Sequence, residues 1–585
     1  MTPIWPLVLA GVLIIGTILL LSAPEVFAGN LAGSDDMMRM QQVRDLIGGQ
    51  NWYNVDQARL LTPEGGDMHW SRLPDIFLAG IILLAQPLIG REMAEVLAVT
   101  LWPLMLLSWA LAALATCLRR LKTSLPGQIA GMVFFCASFA IVTLLPGRVD
   151  HHGFGIALAL TALACLLSPQ KSARSAAIAA TCVAAMFTLA LENVPAATLI
   201  IAGFALAWVL RGDGETNRLR VFGAALVVGA LIAYVFDTPG AGGIRVVCDA
   251  YGQSHFVSLL VTGAGLFTVA TFMPSAPRLL LRVVAMLLVT GVVVWSFRAV
   301  NSECFALPYS NLSGTVESIW FSAVSESRSL PDMFAGEPAS VYFLYGFPVI
   351  AFLATLYAWC GSPRADRFNI ACLGVGLLAA LLLSTWQVRA ASLAHALSAI
   401  SSGYFIGILL GRRAAKDHLP RLSLLAVAIL IASLLGWQLP QLLSNSFRQA
   451  EPAIANCTSR QAFQPVAAAP RMIAFTPMDL GAPLIFHTRH YATAAPYHRN
   501  SAAIQMTVSV FTDPVDTART KMERTGATHL IYCAGMGELR TYAKHAPEGL
   551  AAALEAGNVP PWLTPLTTSQ EGMGPVVYTI DYERD

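Results

Sequence analysis

The polar stretch Gly147-Arg148-Val149-Asp150-His151-His152-Gly153 lies between two long apolar runs of this chain. The run before it spans 131–145, and the run after it spans 154–167. Ionisable side chains at the edge of a membrane are costly unless they are solvated, paired or bound to a cation. Asp and His also offer the oxygen and nitrogen ligands that divalent ions take. The stretch therefore predicts either a solvated turn or a metal site between two membrane spans.

The composition indicates an integral membrane protein. Hydrophobic residues make up 56% of the 585 residues, charged residues make up 12%, and the mean hydropathy is +0.60. Soluble globular proteins carry about 25% charged residues. The formal net charge is only +2, and basic patches interleaved with aromatic residues are absent from the sequence. We therefore expect a membrane environment and no nucleic-acid partner.

Apolar runs recur along most of the chain, and many are long enough to cross a bilayer as helices. They predict about thirteen spans, at 4–22, 94–117, 127–146, 154–167, 176–191, 196–211, 219–236, 255–273, 279–298, 340–360, 368–386, 391–411 and 421–438. The first run has no basic residue before it and is long for a signal peptide, so we expect a retained anchor.

The segment 75–90 is also apolar, and we interpret it as a helix lying at the membrane interface. With that choice the basic clusters, including Arg119-Arg120 and Arg211–Arg220, all fall on one face of the membrane. The positive-inside rule makes that face cytoplasmic. The predicted topology has a cytoplasmic N-terminus and an external, periplasmic C-terminus in a bacterial inner membrane.

This topology divides the chain into two expected domains, a transmembrane domain at 1–438 and an external domain at 439–585. Residues 23–93 would form the first external loop. Apolar β-rich runs alternate with helical stretches in the external domain, which is typical of an α/β fold. The predicted strand runs are 471–475, 483–486, 529–532 and 575–580, and the predicted helices are 515–525 and 548–556.

Two pairs of cysteines would lie outside the cytoplasm in this topology. Cys457 and Cys533 form a candidate disulfide of the external domain, and Cys248 and Cys304 could pair as well. Disulfides persist in oxidising compartments, so both pairs fit an external location.

Two adjacent carboxylates, Asp35 and Asp36, follow the first span. Ser34 or one of the aspartates could cap a helix that runs to about Ile47. Capping requires only one of these residues, so the second carboxylate is left unexplained. Neighbouring carboxylates near a bilayer repel each other unless a cation is shared between them.

A second polar cluster of the first external loop contains Glu64, Asp67 and His69 next to glycine and aromatic residues. This composition suits either a loop that binds a ligand or an ordinary irregular connector. Further on, Glu326 lies in a solvated loop, and Arg389 lies at the edge of a span. Arg389 could snorkel to the interface or bind a phosphate with its guanidinium fork.

The order of these features resembles the catalytic subunit of oligosaccharyltransferase, within the wider GT-C class of membrane glycosyltransferases. The resembling features are the acidic residue after the first span, Asp-His-His in the second external loop, Val324-Ser325-Glu326, and the late arginine. The resemblance implies metal ligands, an acceptor-binding carboxylate and a phosphate-binding arginine. Carried across, these are Asp35 or Asp36, Asp150, His152, Glu326 and Arg389.

The chain also departs from that family. The family's Trp-Trp-Asp-Tyr-Gly signature, which recognises the acceptor peptide, corresponds here to Thr476-Pro477-Met478-Asp479-Leu480-Gly481. Asp479 and Gly481 remain, whereas all three aromatic residues are replaced. A pocket that depends on indole packing would be lost by these replacements. We therefore expect a lipid, a saccharide or another hydroxyl acceptor in place of a peptide sequon, with Asp479 on the acceptor side.

These observations predict a membrane glycosyltransferase that takes a sugar from a polyprenyl-phosphate or -pyrophosphate donor. Mg²⁺ or Mn²⁺ bound by Asp35, Asp36, Asp150 and His152 would stabilise the charge on the leaving phosphate. Asp35, Asp36 or Glu326 would act as the catalytic carboxylate, and Glu64, Asp67 and His69 would contact the acceptor. A flippase of lipid-linked saccharides and a peptide-directed oligosaccharyltransferase are the alternatives. Charged residues crowd the ends of the spans, and this favours the enzyme over the flippase.

Overall fold

The computed structural model describes residues 4–61, 65–168, 172–237, 247–273, 279–305, 314–321, 324, 326–336, 338–413, 457–567 and 574–583. Sixteen helices lie between residues 5 and 413 of this part of the chain. They are α1 Trp5–Phe27, α2 Ser34–Ile47, α3 Leu73–Ile89, α4 Arg91–Arg120, α5 Leu125–Cys136, α6 His152–Leu166, α7 Ala173–Leu189, α8 Val194–Arg211, α9 Asp213–Asp237, α10 Gln253–Phe272, α11 Leu279–Val300, α12 Gly314–Ile319, α13 Leu330–Gly336, α14 Pro338–Cys360, α15 Arg364–Trp386 and α16 Ala391–Arg413.

Nine candidate membrane spans occur among the described residues, judged by length and apolar composition. They involve α1, α4, α8, α9, α10, α11, α14, α15 and α16, and four shorter apolar helices, α3, α5, α6 and α7, accompany them. The protein is therefore a multi-pass helical membrane protein, as the composition predicted. The expected run 421–438 lies outside the described residues, so the number of thirteen spans stays a prediction. The segment 75–90 is helical, and its place relative to the bilayer also stays a prediction.

One predicted span, 127–146, is not a continuous helix. Helix α5 ends at Cys136, and a separate 3-10 turn covers Phe139–Leu144. The Ser138 hydroxyl donates to the Phe135 carbonyl at 2.9 Å, and the Phe139 amide donates to Nδ1 of His395 at 3.3 Å. Because His395 comes from α16, hydropathy along 127–146 could not reveal this break.

Close packing of α5 against α16 fixes the approach to the polar stretch 147–153. A Cβ atom added to Gly127 would lie 2.6 Å from the carbonyl oxygen of Gly403, and one added to Gly403 would lie 2.7 Å from that of Gly127. Small residues let membrane helices approach this closely. The 3-10 turn after α5 and the segment that precedes α16 are thereby brought to the same end of the helix bundle.

The C-terminal region forms a five-stranded mixed sheet with helices around it. The strands are β1 Ile473–Phe475, β2 Tyr491–Ala492, β3 His529–Tyr532, β4 Leu563–Thr567 and β5 Val576–Ile580, in the order β2-β1-β3-β5-β4. Strands β2, β1 and β3 are parallel, and β5 is antiparallel to β3 and β4. The helices are α17 Gln464–Ala468, α18 Met478–His487, α19 Ser501–Thr512, α20 Val515–Glu523, α21 Gly537–His545 and α22 Leu550–Glu555. The α/β class of this region is as predicted; the proposed boundary at 438/439 lies outside the described residues.

The expected strand at 483–486 is wrong, because these residues belong to α18. Pro477 lies at the N-terminal boundary of the helix, and the carboxylate of Glu538 accepts the amides of Met478 and Asp479 at 2.8 and 2.9 Å. This carboxylate comes from α21 and satisfies donors that a helix start leaves open. Both proposed disulfides, Cys457–Cys533 and Cys248–Cys304, are present.

Candidate functional site

The side chain of Asp36 binds the backbone of the polar stretch 147–153. Its fully buried carboxylate accepts the amide of Val149 at 2.7 Å and that of Asp150 at 3.1 Å, and Arg148 lies 3.4 Å from its second oxygen. Neither Asp36 nor its neighbours cap α2 with a side chain, since the N-cap position is Gly33. Asp36 therefore fixes where the following Asp150 and His152 lie.

Three carboxylates surround the imidazole of His152. Its Nδ1 lies 2.6 Å from Glu192, and its Nε2 lies 3.8 Å from Asp150 and 3.6 Å from Glu326. The helix α6 begins at His152, and its amide donates to Oδ1 of Asp150 at 3.0 Å. One ring nitrogen is thus directed at Glu192, and the other faces two carboxylates that come from different segments.

Asp35 lies close enough to these residues for their charges to shift its pKa. Desolvation within the protein, followed by the neighbouring charges of Glu326 and Asp150, raises the pKa of Asp35 to about 7, whereas His152 and Arg389 act in the opposite direction. Mutual repulsion of carboxylates has this effect when no cation is shared between them. Asp35 and Asp36 therefore differ, because Asp35 faces the charged cluster and Asp36 binds the backbone.

Glu326 and Arg389 are joined through the main chain. The Arg389 amide donates to the Glu326 carbonyl at 3.2 Å, and the Val388 amide donates to the Arg328 carbonyl at 3.1 Å. The contact with His152 and the charges of His152 and Arg389 outweigh the effect of burial and lower the pKa of Glu326 to about 2. The guanidinium of Arg389 lies 3.8 Å from Glu192. The structure therefore brings Asp35, Asp36, Asp150, His152, Glu326 and Arg389 together.

Glu192 is the residue of this cluster that sequence reasoning missed. It lies in the 3-10 turn Leu191–Asn193 between α7 and α8, and it contacts His152, His151 at 3.5 Å and Arg389. The sequence shows only a single carboxylate between two apolar runs. Its place at the same end of the bundle as Asp150 was the one available signal.

The residues expected on the acceptor side are dispersed. Glu64 lies outside the described residues. Asp67 pairs with Arg499 at 3.0 Å, and the ring of His69 lies 4.5 Å from that of His498. Asp479 is an exposed residue in the first turn of α18. Asp67 and His69 therefore contact the C-terminal domain directly.

The carboxylates around His152 suit a hard divalent ion. Among the described residues, His151, His152 and Glu192 offer ligand atoms within 4.8 Å of one another, and these two imidazoles and one carboxylate alone would fit zinc. Asp35, Asp150 and Glu326 add carboxylate oxygens beside them. Mg²⁺ and Mn²⁺ prefer oxygen ligands, and Mn²⁺ also accepts imidazole. Burial is the largest cause of the raised pKa of Asp35, and the repulsion from Glu326 and Asp150 that adds to it is what a cation would relieve.

Known structures share this architecture. The apo oligosaccharyltransferase of Archaeoglobus fulgidus matches with a TM-score of 0.68 and 14% identity, over 94% of this chain and 71% of that chain. The chain has the oligosaccharyltransferase fold. The same archaeal enzyme, AglB, in complex with an inhibitory peptide and a dolichol-phosphate matches at 0.67 and 14% identity, over 98% and 75%.

Its complex with Zn and sulfate matches at 0.63 and 15% identity, over 98% of this chain and 73% of that chain. Protein-family models and curated protein sequences were also compared, and none matches. The oligosaccharyltransferase fold confirms, at the level of architecture, the resemblance drawn from the Asp-His-His stretch and the order of the loops.

Proposed function

We propose that this protein is a membrane glycosyltransferase that transfers a sugar or oligosaccharide from a polyprenyl-phosphate or -pyrophosphate donor to a hydroxyl acceptor. One observation carries the proposal: Asp35, the neighbouring Asp150 and His152, and Glu326 come from three separate segments and converge at one end of the helix bundle, beside Arg389. The shared fold supports it, since the archaeal oligosaccharyltransferase is known in complex with a dolichol-phosphate.

Asp35, Asp150, His152 and Glu326 would hold Mg²⁺ or Mn²⁺ at this site. When bound, such an ion supplies a Lewis acid that stabilises negative charge on the leaving phosphate. A related structure in complex with Zn supports a cation in this fold. Asp36 is excluded from the ligand set in our proposal, because its carboxylate is committed to the amides of Val149 and Asp150.

The protein's own groups account for the remaining steps. Arg389 binds a donor phosphate oxygen with its guanidinium, whose planar fork suits phosphate. Glu192 accepts the Nδ1 hydrogen of His152 and leaves Nε2 facing Asp150 and Glu326. Asp35 accepts the proton of the acceptor hydroxyl through a carboxylate oxygen that the ion leaves free.

A non-peptide acceptor is supported by the residues that replace the family's aromatic signature. Met478 is fully buried in the core of the C-terminal domain, and Pro477 lies at the N-terminal boundary of α18. These side chains pack inside the domain and offer no aromatic wall to a peptide. We infer a lipid or saccharide acceptor. The positive-inside rule further supports a site on the periplasmic side of a bacterial inner membrane.

A transfer assay tests the proposal. The full chain in proteoliposomes is given a panel of polyprenyl-phosphate and -pyrophosphate sugars labelled in the sugar, together with lipid and saccharide hydroxyl acceptors, with and without EDTA. The wild type should move the label from the donor lipid to an acceptor, and EDTA or Asp150→Asn should reduce the rate at least about 100-fold. Labelled lipids that cross the bilayer intact, with no sugar separated from any member of the panel, would favour the flippase and contradict the proposal.

A further inference from the structure

A second group of metal-type ligands lies between the first loop and the C-terminal domain. It consists of His69, Asp249 between α9 and α10, and His498 in the 3-10 turn before α19. Each residue offers one ligand atom, and the three atoms lie within 4.8 Å of one another. The residues are widely separated in sequence, so the tertiary fold alone brings them together.

The carboxylate of Asp249 is held in place from the C-terminal domain. Its Oδ2 lies 2.8 Å from Nε2 of His498 and accepts Nε–H of Arg499 at 2.8 Å, while Oδ1 accepts Nη2–H of Arg499 at 2.9 Å. Carboxylates that bind metals are commonly oriented by hydrogen bonds of this kind. Arg499 is in turn fixed by Asp67 at 3.0 Å.

His69 completes the group from the other side. Its ring lies 4.5 Å from that of His498 and packs edge-on against Trp70. Its Nδ1 atom is buried and has no hydrogen-bond partner in the described part of the chain. Buried polar atoms are usually satisfied, so an unpaired imidazole nitrogen beside two ligand groups requires a partner.

We propose that His69, Asp249 and His498 bind a transition-metal ion of the Zn²⁺ class. Two imidazoles and one carboxylate form a typical three-ligand zinc set, whereas Mg²⁺ and Ca²⁺ prefer oxygen ligands. Binding the ion would break the hydrogen bond between Nε2 of His498 and Oδ2 of Asp249. This site shares no ligand with the one proposed at Asp150, and it does not depend on the proposed glycosyl transfer.

Such an ion would fasten three segments together. The Cys248–Cys304 disulfide lies next to Asp249 and links its segment to the 3-10 turn after α11. His498 belongs to the C-terminal domain, and His69 belongs to the first loop. The ion would therefore hold the C-terminal domain against the loop that leads from Asp35 to α3, which is a stabilising role.

Metal content provides the test. The purified full chain is freed of metal, and Co²⁺ is added while bound Co²⁺ and its visible absorption are measured. His69→Asn is the first variant, because it leaves the Asp249–His498–Arg499 contacts unchanged. The exposed His545→Asn serves as the control. We expect His69→Asn to bind one equivalent fewer than the wild type and to lose the strong absorption of a tetrahedral site, whereas His545→Asn changes neither.

If His69→Asn and His498→Asn both bind as many equivalents of Co²⁺ as the wild type, with the same spectrum, the proposal is overturned. The group would then be only a hydrogen-bonded ion pair. Using Asp150→Asn separates the two sites, since it should remove the other equivalent and keep the tetrahedral absorption. If these Co²⁺-binding results hold but the transfer assay shows no sugar transfer, the proposed enzyme activity is rejected and the metal site at His69 stands. Loss of the absorption in Asp150→Asn but not in His69→Asn would assign it to the Asp150 site and overturn this inference.

Discussion

Asp35 and Asp36 are adjacent in sequence and have different surroundings. Asp36 accepts two backbone amides of the polar stretch, whereas Asp35 faces Glu326, Asp150 and His152. The sequence could predict that one carboxylate was surplus to helix capping. It could not assign the two roles, because the groups that donate to Asp36 are main-chain amides more than a hundred residues away.

Replacing these aspartates should separate stability from activity. Asp36→Ala leaves the buried amides of Val149 and Asp150 without their acceptor, which costs about 1–3 kcal/mol of stability. Asp35→Ala removes a carboxylate that repels Glu326 and Asp150, so it should leave Tm unchanged or raised while abolishing transfer. Scanning fluorimetry in detergent measures Tm, and equal losses of Tm in both variants would contradict the assignment.

Glu192 should act on the site through His152. The Glu192 carboxylate lies 2.6 Å from Nδ1 of His152 and orients the ring. Glu192→Ala should therefore weaken Mn²⁺ binding and sugar transfer by about 10–100-fold. Glu192→Gln keeps an acceptor oxygen and should restore part of both. The exposed Glu523→Ala is the control. Mn²⁺ binding followed by electron paramagnetic resonance tests this, and undiminished affinity in Glu192→Ala would exclude the positioning role.

At the scale of elements, hydropathy located the apolar segments but could not predict the hydrogen bonds that interrupt a helix or cap its start. The break after α5 depends on His395 of α16, and the start of α18 depends on Glu538 of α21. The run 483–486 is as apolar as a strand, but it continues a helix whose first amides are accepted by Glu538. The local sequence pattern cannot predict a hydrogen bond to a residue far along the chain.

The half-buried His487, which ends α18, and the buried His490 after it predict a dependence of stability on pH. Nε2 of His487 donates to the Thr458 carbonyl at 3.1 Å, and Nε2 of His490 donates to that of Val466 at 2.8 Å. Burial lowers the pKa of His487 to about 4 and also lowers that of His490. The unfolded chain therefore binds more protons between pH 4 and about 6.5, and stability falls as the pH drops through this range.

The expected loss between pH 7 and pH 5 is about 1 kcal/mol for His487, since the ring is partly solvated. It is measured as the fall in Tm of the full chain over this range. His487→Gln should have a smaller fall, whereas the exposed His545→Gln should behave as the wild type. A pH dependence that His487→Gln leaves intact would show that another group causes it.

At the scale of the molecule, the two disulfides fit the predicted external location of the loops that carry them. Cys457 and Cys533 are separated by 76 residues and close a long loop of the C-terminal domain. Such a crosslink contributes about 2–4 kcal/mol. The Cys457→Ser and Cys533→Ser double variant should therefore have a lower Tm than the wild type. An unchanged Tm would show that the bond does not constrain the unfolded chain.

The membrane class, most helices and the grouping of polar loops could be predicted, because span length and charge bias are local properties of the sequence. The convergence of Asp35, Asp150, His152 and Glu326 could be predicted only through a shared topological end and a family resemblance. Glu192, and the contacts of His69 with Asp249 and His498, depend on how loops pack. Sequence spacing contains no information on that packing.

The rate of sugar transfer as a function of Mn²⁺ concentration tests the central claim most directly. It is measured for the wild type and Asp150→Asn with labelled polyprenyl-phosphate sugars in proteoliposomes. We predict a saturable dependence on Mn²⁺ in the wild type, and at least about a 100-fold lower rate in Asp150→Asn at every concentration. Turnover that is independent of metal, or equal curves for the two proteins, would contradict the account.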